Sequence, residues 1–396
     1  MFYGEKLSNL RELNGLSRKE LANQLGITEQ AVWQYETDSI LPRIEILNQL
    51  RSLFFVETKY FFSPEYLKNK VSEEKIAYRA IDRESRKKTK FELTFLNHLD
   101  YYINYFESKL VIPETPIINI REKCLKFVRE SHLDRKEVIK KTAEFARSEL
   151  SLKDNRNLMY ALENSGIYII EKNLGSKIDA YSTVTNDGRL YIILGTLKKS
   201  AVRRNFDLVH ELGHLLLHDD VDMDILSSAE LKNIEKEAHL FASIFLLPEE
   251  EFTNDFLKLK RKSNPDYYID LKRKYLVSIS ALEMRAYELG LMSYQENRYF
   301  WGQLTKKEYK FFEPLDDEIR PVRPGKIRSL IKFLLEENVI TLDFLLSQFN
   351  ILPKFLTNLF SLEEFFFDEY LETRIDYFSN AKIVNIDKFR DKTTLD

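Results

Sequence analysis

The sequence predicts a mainly α-helical chain with one small β-sheet, an α+β fold, on three observations. Breakers are sparse, with 11 Gly and 10 Pro in 396 residues. Between them run long stretches of Leu, Ile, Lys, Glu and Phe, which favour helix. Strand-like runs recur only within about 166–194. The composition, 44% apolar and 31% charged, is that of a globular protein with a buried core. At about 150 residues per domain the length implies two or three domains. Composition marks four regions: 1–62, 63–150, 151–295 and 296–396.

Region 1–62 packs four or five short helices between clear stops. Leu7, Leu10 and Leu13 share one face before Gly15, and Ser17 and Glu20 form a capping-box pair ahead of Leu21, Ala22 and Leu25. Gly26 stops that helix, Thr28 is placed to cap Glu29–Thr37, and Pro42 opens a fourth helix running to Leu53. Region 63–150 reads as a charged helical scaffold, with long stretches over Phe91–Leu110 and Ile118–Leu150 and a basic run from Arg79 to Lys90. Region 151–295 holds three β-rich runs, from Gly166, Lys177 and Arg189, with turns at Asn173–Gly175 and Asn186–Gly188, and then returns to helix near Ser200. Region 296–396 is a helical C-terminal domain after the prolines at 314, 321 and 324. Its phenylalanines (Phe344, Phe349, Phe355, Phe360, Phe365–Phe367) read as core.

Charge limits the function classes. Lys plus Arg is 60 and Asp plus Glu 63, a net charge of -3, which excludes a polycation that coats nucleic acid by bulk attraction. No segment reaches the roughly 20 apolar residues of a membrane span. The first residues show no signal-peptide core. The single Cys124 allows no intrachain disulfide and reads as a small buried hydrophobe, so a cytoplasmic location with no membrane partner is expected.

Within 17–36 the pattern has a helix-turn-helix logic. Ala22 lets two helices approach, Gly26 allows the tight turn, and Ile27 and Val32 close a small core. The second helix then presents Thr28, Glu29, Gln30 and Gln34 outward, and Gln can pair bidentately with adenine in the major groove. With Arg18, Glu36 and Pro42-Arg43, about 55 residues resemble the XRE-type, lambda-repressor/Cro-like helix-turn-helix, which implies operator DNA as a partner. Seven Lys/Arg against eight Asp/Glu in 1–62 make phosphate attraction weak, so tight binding would need a homodimer or the Arg79–Lys90 run. Lys258–Lys262 and Lys272–Lys274 are weaker DNA candidates and read better as solvated faces.

The histidines are the strongest signal. Four of six lie between His210 and His239. In His210-Glu-Leu-Gly-His214 the two imidazoles are one helical turn apart on one face, so both can reach one metal ion. Glu211 lies beside that face, where a carboxylate can take a proton from an activated water, and zinc with three protein ligands keeps a position open for that water. A third ligand is expected on the next helix. There Glu235, Ala238, His239 and Ala242 form one stripe. Glu235 is preferred over Glu237, which lies on another face. His239 is placed to orient a ligand from behind, and His218 is a structural or substrate-side residue.

The stretch His210–His218, followed by Glu235, Ala238, Phe241, Ala242, Leu246, Leu247 and Pro248, resembles the ImmA/IrrE zinc metallopeptidases. It departs at His239, where that family commonly has Asn. Asp179-Ala180, Ala201–Phe206, Val277–Leu291 and Tyr299–Trp301 extend the resemblance over about 150–310. With the N-terminal domain it implies a regulator that cuts a repressor or partner protein by gluzincin-like chemistry: zinc on His210, His214 and Glu235, with Glu211 as proton shuttle. An edge strand of the sheet, placed at Arg189–Leu194, would hold the substrate as an added strand, and His218, His239 or Tyr181 would assist the oxyanion. Two other readings stand beside this one. The peptidase-like domain could sense a metal or ligand without proteolysis, or the N-terminal helices could bind the protein substrate rather than DNA.

Overall fold

The computed structural model describes residues 1–64, 67, 71, 83–112, 115–175, 178–197, 200–218 and 226–371. Helices α1 (Gly4–Leu13), α2 (Arg18–Leu25), α3 (Glu29–Glu36) and α4 (Ile44–Phe54) form the N-terminal unit, followed by a 3-10 turn at Thr58–Phe62. Ser17 and Glu20 close the capping box of α2, Gly26 ends it in the left-handed conformation (φ 65°), and the Thr28 hydroxyl caps α3 by accepting from the Ala31 amide. Gly4 is required by packing: a Cβ there would lie 2.2 Å from the Tyr35 carbonyl oxygen.

Helix α5 (Arg83–Glu107) is followed by α6 (Pro116–Glu130) and α7 (Arg135–Glu149). The run expected as continuous over 118–150 is therefore broken. Ser131 turns extended, and the Asp134 carboxylate restarts the helix by accepting from the Lys136 amide. The apolar pattern lapses there, since Leu133 is the one apolar residue between Val128 and Val138 and it is exposed.

After α8 (Leu158–Ser165) come β1 (Tyr168–Lys172), β2 (Ala180–Val184) and β3 (Leu190–Gly195). Their order is β1-β3-β2, with β3 parallel to β1 and antiparallel to β2. Two expectations change. The middle strand begins three residues later than its β-rich run, whose Lys177 lies outside the described residues. The strand at 189–194 is central rather than an edge, so it has no side open for an added strand. The outer strands are β1 and β2, and β2 is the one beside helix α9 (Ala201–Leu217).

The remaining helices are α10 (Ser228–Leu246), α11 (Glu249–Phe256), α12 (Ile269–Tyr275), α13 (Ile279–Glu288), α14 (Tyr294–Lys306), α15 (Lys326–Glu336), α16 (Leu342–Phe349) and α17 (Pro353–Phe360). Strand alternation feeds a different core on each face of the sheet. Ile169, Ala180, Ile192 and Leu194 face the core that holds α9, α10 and α13. Tyr168, Ile170, Tyr181, Tyr191 and Ile193 face a second core, built from α5, the N-terminal helices and α15–α17. Phe349, Phe355, Phe360, Phe366 and Phe367 are buried there, while Phe344 and Phe365 are exposed. Backbone hydrogen bonds from Glu57 to Asn350 (2.7 Å) and from Leu352 to Phe55 (2.9 Å) join the N-terminal unit to the C-terminal helices. Cys124 is buried and its thiol is pushed up to about 12 by that burial. No helix of the described residues is long and apolar enough to cross a membrane.

Candidate metal centre and DNA-reading helix

Helix α9 is amphipathic and almost wholly buried over its second half, where it lies between the sheet and α10. Gly213 permits the close approach of α10: a Cβ there would sit 3.1 Å from the Phe241 ring. That contact brings Glu235, on the first turns of α10, over the histidine face of α9.

His210 and His214, each 8% exposed, face each other with their Nε2 atoms 3.0 Å apart. The Glu235 carboxylate reaches both, Oε2 at 3.2 Å from His210 Nε2 and Oε1 at 3.5 Å from His214 Nε2. Ligand atoms around a tetrahedral zinc with bonds near 2.0–2.1 Å lie about 3.3 Å apart, so the three separations suit one ion. The outer nitrogens are engaged as well. His210 Nδ1 lies 2.9 Å from His239 Nδ1, and His214 Nδ1 lies 3.2 Å from His218 Nδ1. When each ligand histidine gives its Nδ1 proton to the ring behind it, both Nε2 atoms carry lone pairs toward a carboxylate. A cation satisfies that arrangement, and a proton shared by one pair does not satisfy all three. His210, Glu235 and His239 also have ligand atoms within 4.8 Å of one another and could hold a metal. In the set containing His214 the three separations are all 3.5 Å or less.

Glu211 is 2% exposed, and its Oε2 accepts a 2.8 Å hydrogen bond from the Ser182 hydroxyl on β2. No motif signalled Ser182, because the contact depends on how β2 lies against α9. The neighbouring Tyr181 points to the opposite face of the sheet, where its hydroxyl donates to Glu92 at 2.7 Å, so it does not assist at the histidine cluster. His218 and His239 stand behind the rings of His214 and His210. Glu237, the rival ligand, faces away from the cluster and accepts from His218 Nε2 at 2.9 Å and from Arg135 on α7 at 2.5 and 2.9 Å. Burial raises the Glu237 pKa, but the His218 and Arg135 hydrogen bonds outweigh it and hold the group at about 2. Burial pushes His218 down, toward the neutral ring.

In the N-terminal unit Thr28, Glu29, Gln30 and Arg43 are exposed and Gln34 is half-buried. Arg18 is committed through Nε to Glu36 at 2.5 Å, and Glu36 also holds the buried Arg11, so Glu36 on α3 ties in both α2 and α1. Arg79 lies outside the described residues, as do the side chains of Arg83, Arg86 and Lys87. Lys90 pairs with Glu12 at 2.8 Å, which ties it to α1. Lys272 is not a solvated surface lysine. It is fully buried between Glu313 (2.9 Å) and Asp316 (2.7 Å).

Comparison with known families agrees with this organisation. The model of the IrrE N-terminal-like domain, Peptidase_M78, matches residues 162–287. A helix-turn-helix model, HTH_3, matches residues 7–61. No curated protein matches the chain.

Proposed function

We propose, from the union in one chain of an XRE-type helix-turn-helix domain and an IrrE N-terminal-like peptidase-family domain, a DNA-binding regulator carrying a zinc endopeptidase that cuts a repressor or partner protein. The observation that carries the reading is the convergence of His210, His214 and Glu235 beside the buried Glu211. These three residues would hold zinc, which when bound polarises the scissile carbonyl and makes water a better nucleophile. Glu211 takes the water's proton and delivers it to the leaving amine. Ser182 holds one carboxylate oxygen of Glu211 in place. His239 fixes the ring of His210. The substrate backbone would lie along β2, the outer strand beside α9, rather than along the central β3.

On the DNA side, Gln30 and Gln34 on α3 would read bases while Thr28, Glu29 and Arg43 line the contact, with Arg18 bracing the helices. The near-zero charge of 1–62 makes a homodimer the natural binding form, since two copies double the phosphate contacts.

The test uses the full-length protein. Metal analysis should find about one zinc per chain. Wild type should cut a cognate repressor, and Glu211→Gln should keep the zinc while losing roughly 10²-fold or more in rate. Absence of zinc, or equal cutting by both proteins, overturns the enzyme reading. Zinc binding without cleavage, coupled to metal-dependent DNA affinity, would favour a sensor. DNA binding should weaken with salt, and Gln30→Ala should cost about 1–3 kcal/mol at one base position. Binding that ignores salt and sequence would move the N-terminal helices to protein recognition.

A further inference from the structure

The geometry points to a positioning string, Arg135–Glu237–His218, that fixes the ring of His214 from outside the ligand cluster; this inference rests on the zinc reading above. We infer that its three members set the tautomer and rotation of His214 and thereby the affinity of the metal centre.

The string is continuous. The Arg135 guanidinium, at the start of α7, grips both oxygens of Glu237 at 2.9 and 2.5 Å. Glu237 Oε2 accepts from His218 Nε2 at 2.9 Å. With the Nε2 proton committed to that carboxylate, His218 Nδ1 carries a lone pair, which faces His214 Nδ1 at 3.2 Å. His214 therefore donates from Nδ1 and turns its Nε2 lone pair toward His210 and Glu235. A carboxylate behind an imidazole enforces ligand orientation in many metal sites, usually in direct contact. Here a second imidazole lies between carboxylate and ligand, so orientation passes through two rings.

Local chain geometry makes this arrangement possible. His218 is four residues after His214 and on the same face, and α9 stops at Leu217, with His218 as its C-cap. Its side chain is 3% exposed, so the ring sits inside the protein between its two partners. Glu237 lies two residues after Glu235 on α10 and so projects from a different side of that helix. One turn of α10 thus supplies the carboxylate facing the ion and the carboxylate behind the opposite histidine. Arg135 fixes Glu237 from a third helix, so α7, α9 and α10 all contribute to the string. His210 has its own, shorter support in His239.

The test measures zinc affinity of the full-length chain by competition with a chromogenic chelator. Loss of the string should weaken binding by about 10–100-fold for His218→Ala and about tenfold for Glu237→Gln. Arg135→Met should give a smaller loss in the same direction. The His218→Ala Glu237→Gln double variant should lose no more than His218→Ala alone, because both act through one ring. Cobalt substitution supplies a signature that a merely structural role would not move: the visible bands of the variants should shift while their metal-free melting temperatures stay within a few degrees of wild type. Should His218→Ala fail to fold, the near-isosteric Glu237→Gln carries the test. Wild-type affinity and spectrum in both variants, or additive losses in the double variant, would overturn the string and leave the zinc reading standing. Absence of zinc from wild type would overturn both.

Discussion

At the residue scale the chemistry divides between groups that were legible in sequence and groups that only folding reveals. His210, Glu211 and His214 are one helical turn, so their spacing alone places two imidazoles on one face and a carboxylate beside them. Glu235 was reachable by the same argument, as the acidic member of a stripe of small residues on the next helix. Ser182 was not, because its contact with Glu211 depends on the position of β2, 29 residues earlier in the chain. Nor was Arg135, which lies 102 residues from Glu237. Ser182→Ala should expose the division of labour. It leaves every proposed ligand in place, so zinc content should match wild type. It removes one hydrogen bond to a buried carboxylate, a bond of about 1.5–3 kcal/mol for a charged acceptor, so kcat should fall roughly tenfold or more. Wild-type kcat with Ser182→Ala would show that Glu211 is held by other contacts.

At the element scale, capping chemistry was the most readable layer and strand pairing the least. Ser17, Gly26 and Thr28 each perform the role their residue type suggests, because caps and turns are satisfied within a few residues. Strand order is different in kind. Leu190–Leu194 is β-rich on both faces, which fits a central strand as well as an edge, and only the β1-β3-β2 order decides the matter. Lys272 shows the same limit: a basic triplet reads as surface until Glu313 and Asp316, more than 40 residues away, close around its first lysine. The most consequential packing at this scale is α9 on α10 at Gly213. In Gly213→Ala the new methyl meets the Phe241 ring at 3.1 Å, and the two helices must part or the ring must turn. Overpacking of this kind costs about 1–3 kcal/mol, against which alanine's better helix propensity returns less than 1 kcal/mol. Thermal unfolding should register the loss, and chelator competition should show weaker zinc binding, since Glu235 is carried on the displaced helix. A variant as stable and as zinc-avid as wild type would show that the interface yields freely.

At the scale of the whole molecule, α5 joins what the sequence presents as separate regions. Its first half holds the N-terminal unit through Lys90 and Thr94 on Glu12. Its second half holds the sheet through Asp100 and Glu107, which bind Arg189, Tyr191 and Tyr168. The C-terminal phenylalanines pack on the same helix, with Phe349, Phe355 and Phe360 around Tyr102. One buried titratable group tests whether this shared core behaves as a unit. His98 on α5 is 1% exposed, with Nδ1 donating to the Thr94 carbonyl at 2.8 Å and Nε2 meeting no partner among the described residues. Burial therefore pushes its pKa down to about 4, from 6.5 in the unfolded chain. Between those values the unfolded chain binds a proton that the folded chain refuses. Stability from the neutral ring is thus complete above pH 6.5 and is lost progressively as pH falls toward 4, to a limit of about 3 kcal/mol. Protonation of carboxylates and of the clustered histidines acts on wild type and variant alike, so the comparison isolates this residue. His98→Leu should melt less acid-sensitively, its melting temperature falling several degrees less than wild type between pH 7 and 4.5. Because α5 belongs to the N-terminal, sheet and C-terminal packing at once, the wild-type loss should appear as one transition rather than as early release of the reading helix. Parallel pH profiles for the two proteins would show that the folded core takes up the proton on His98 at no cost.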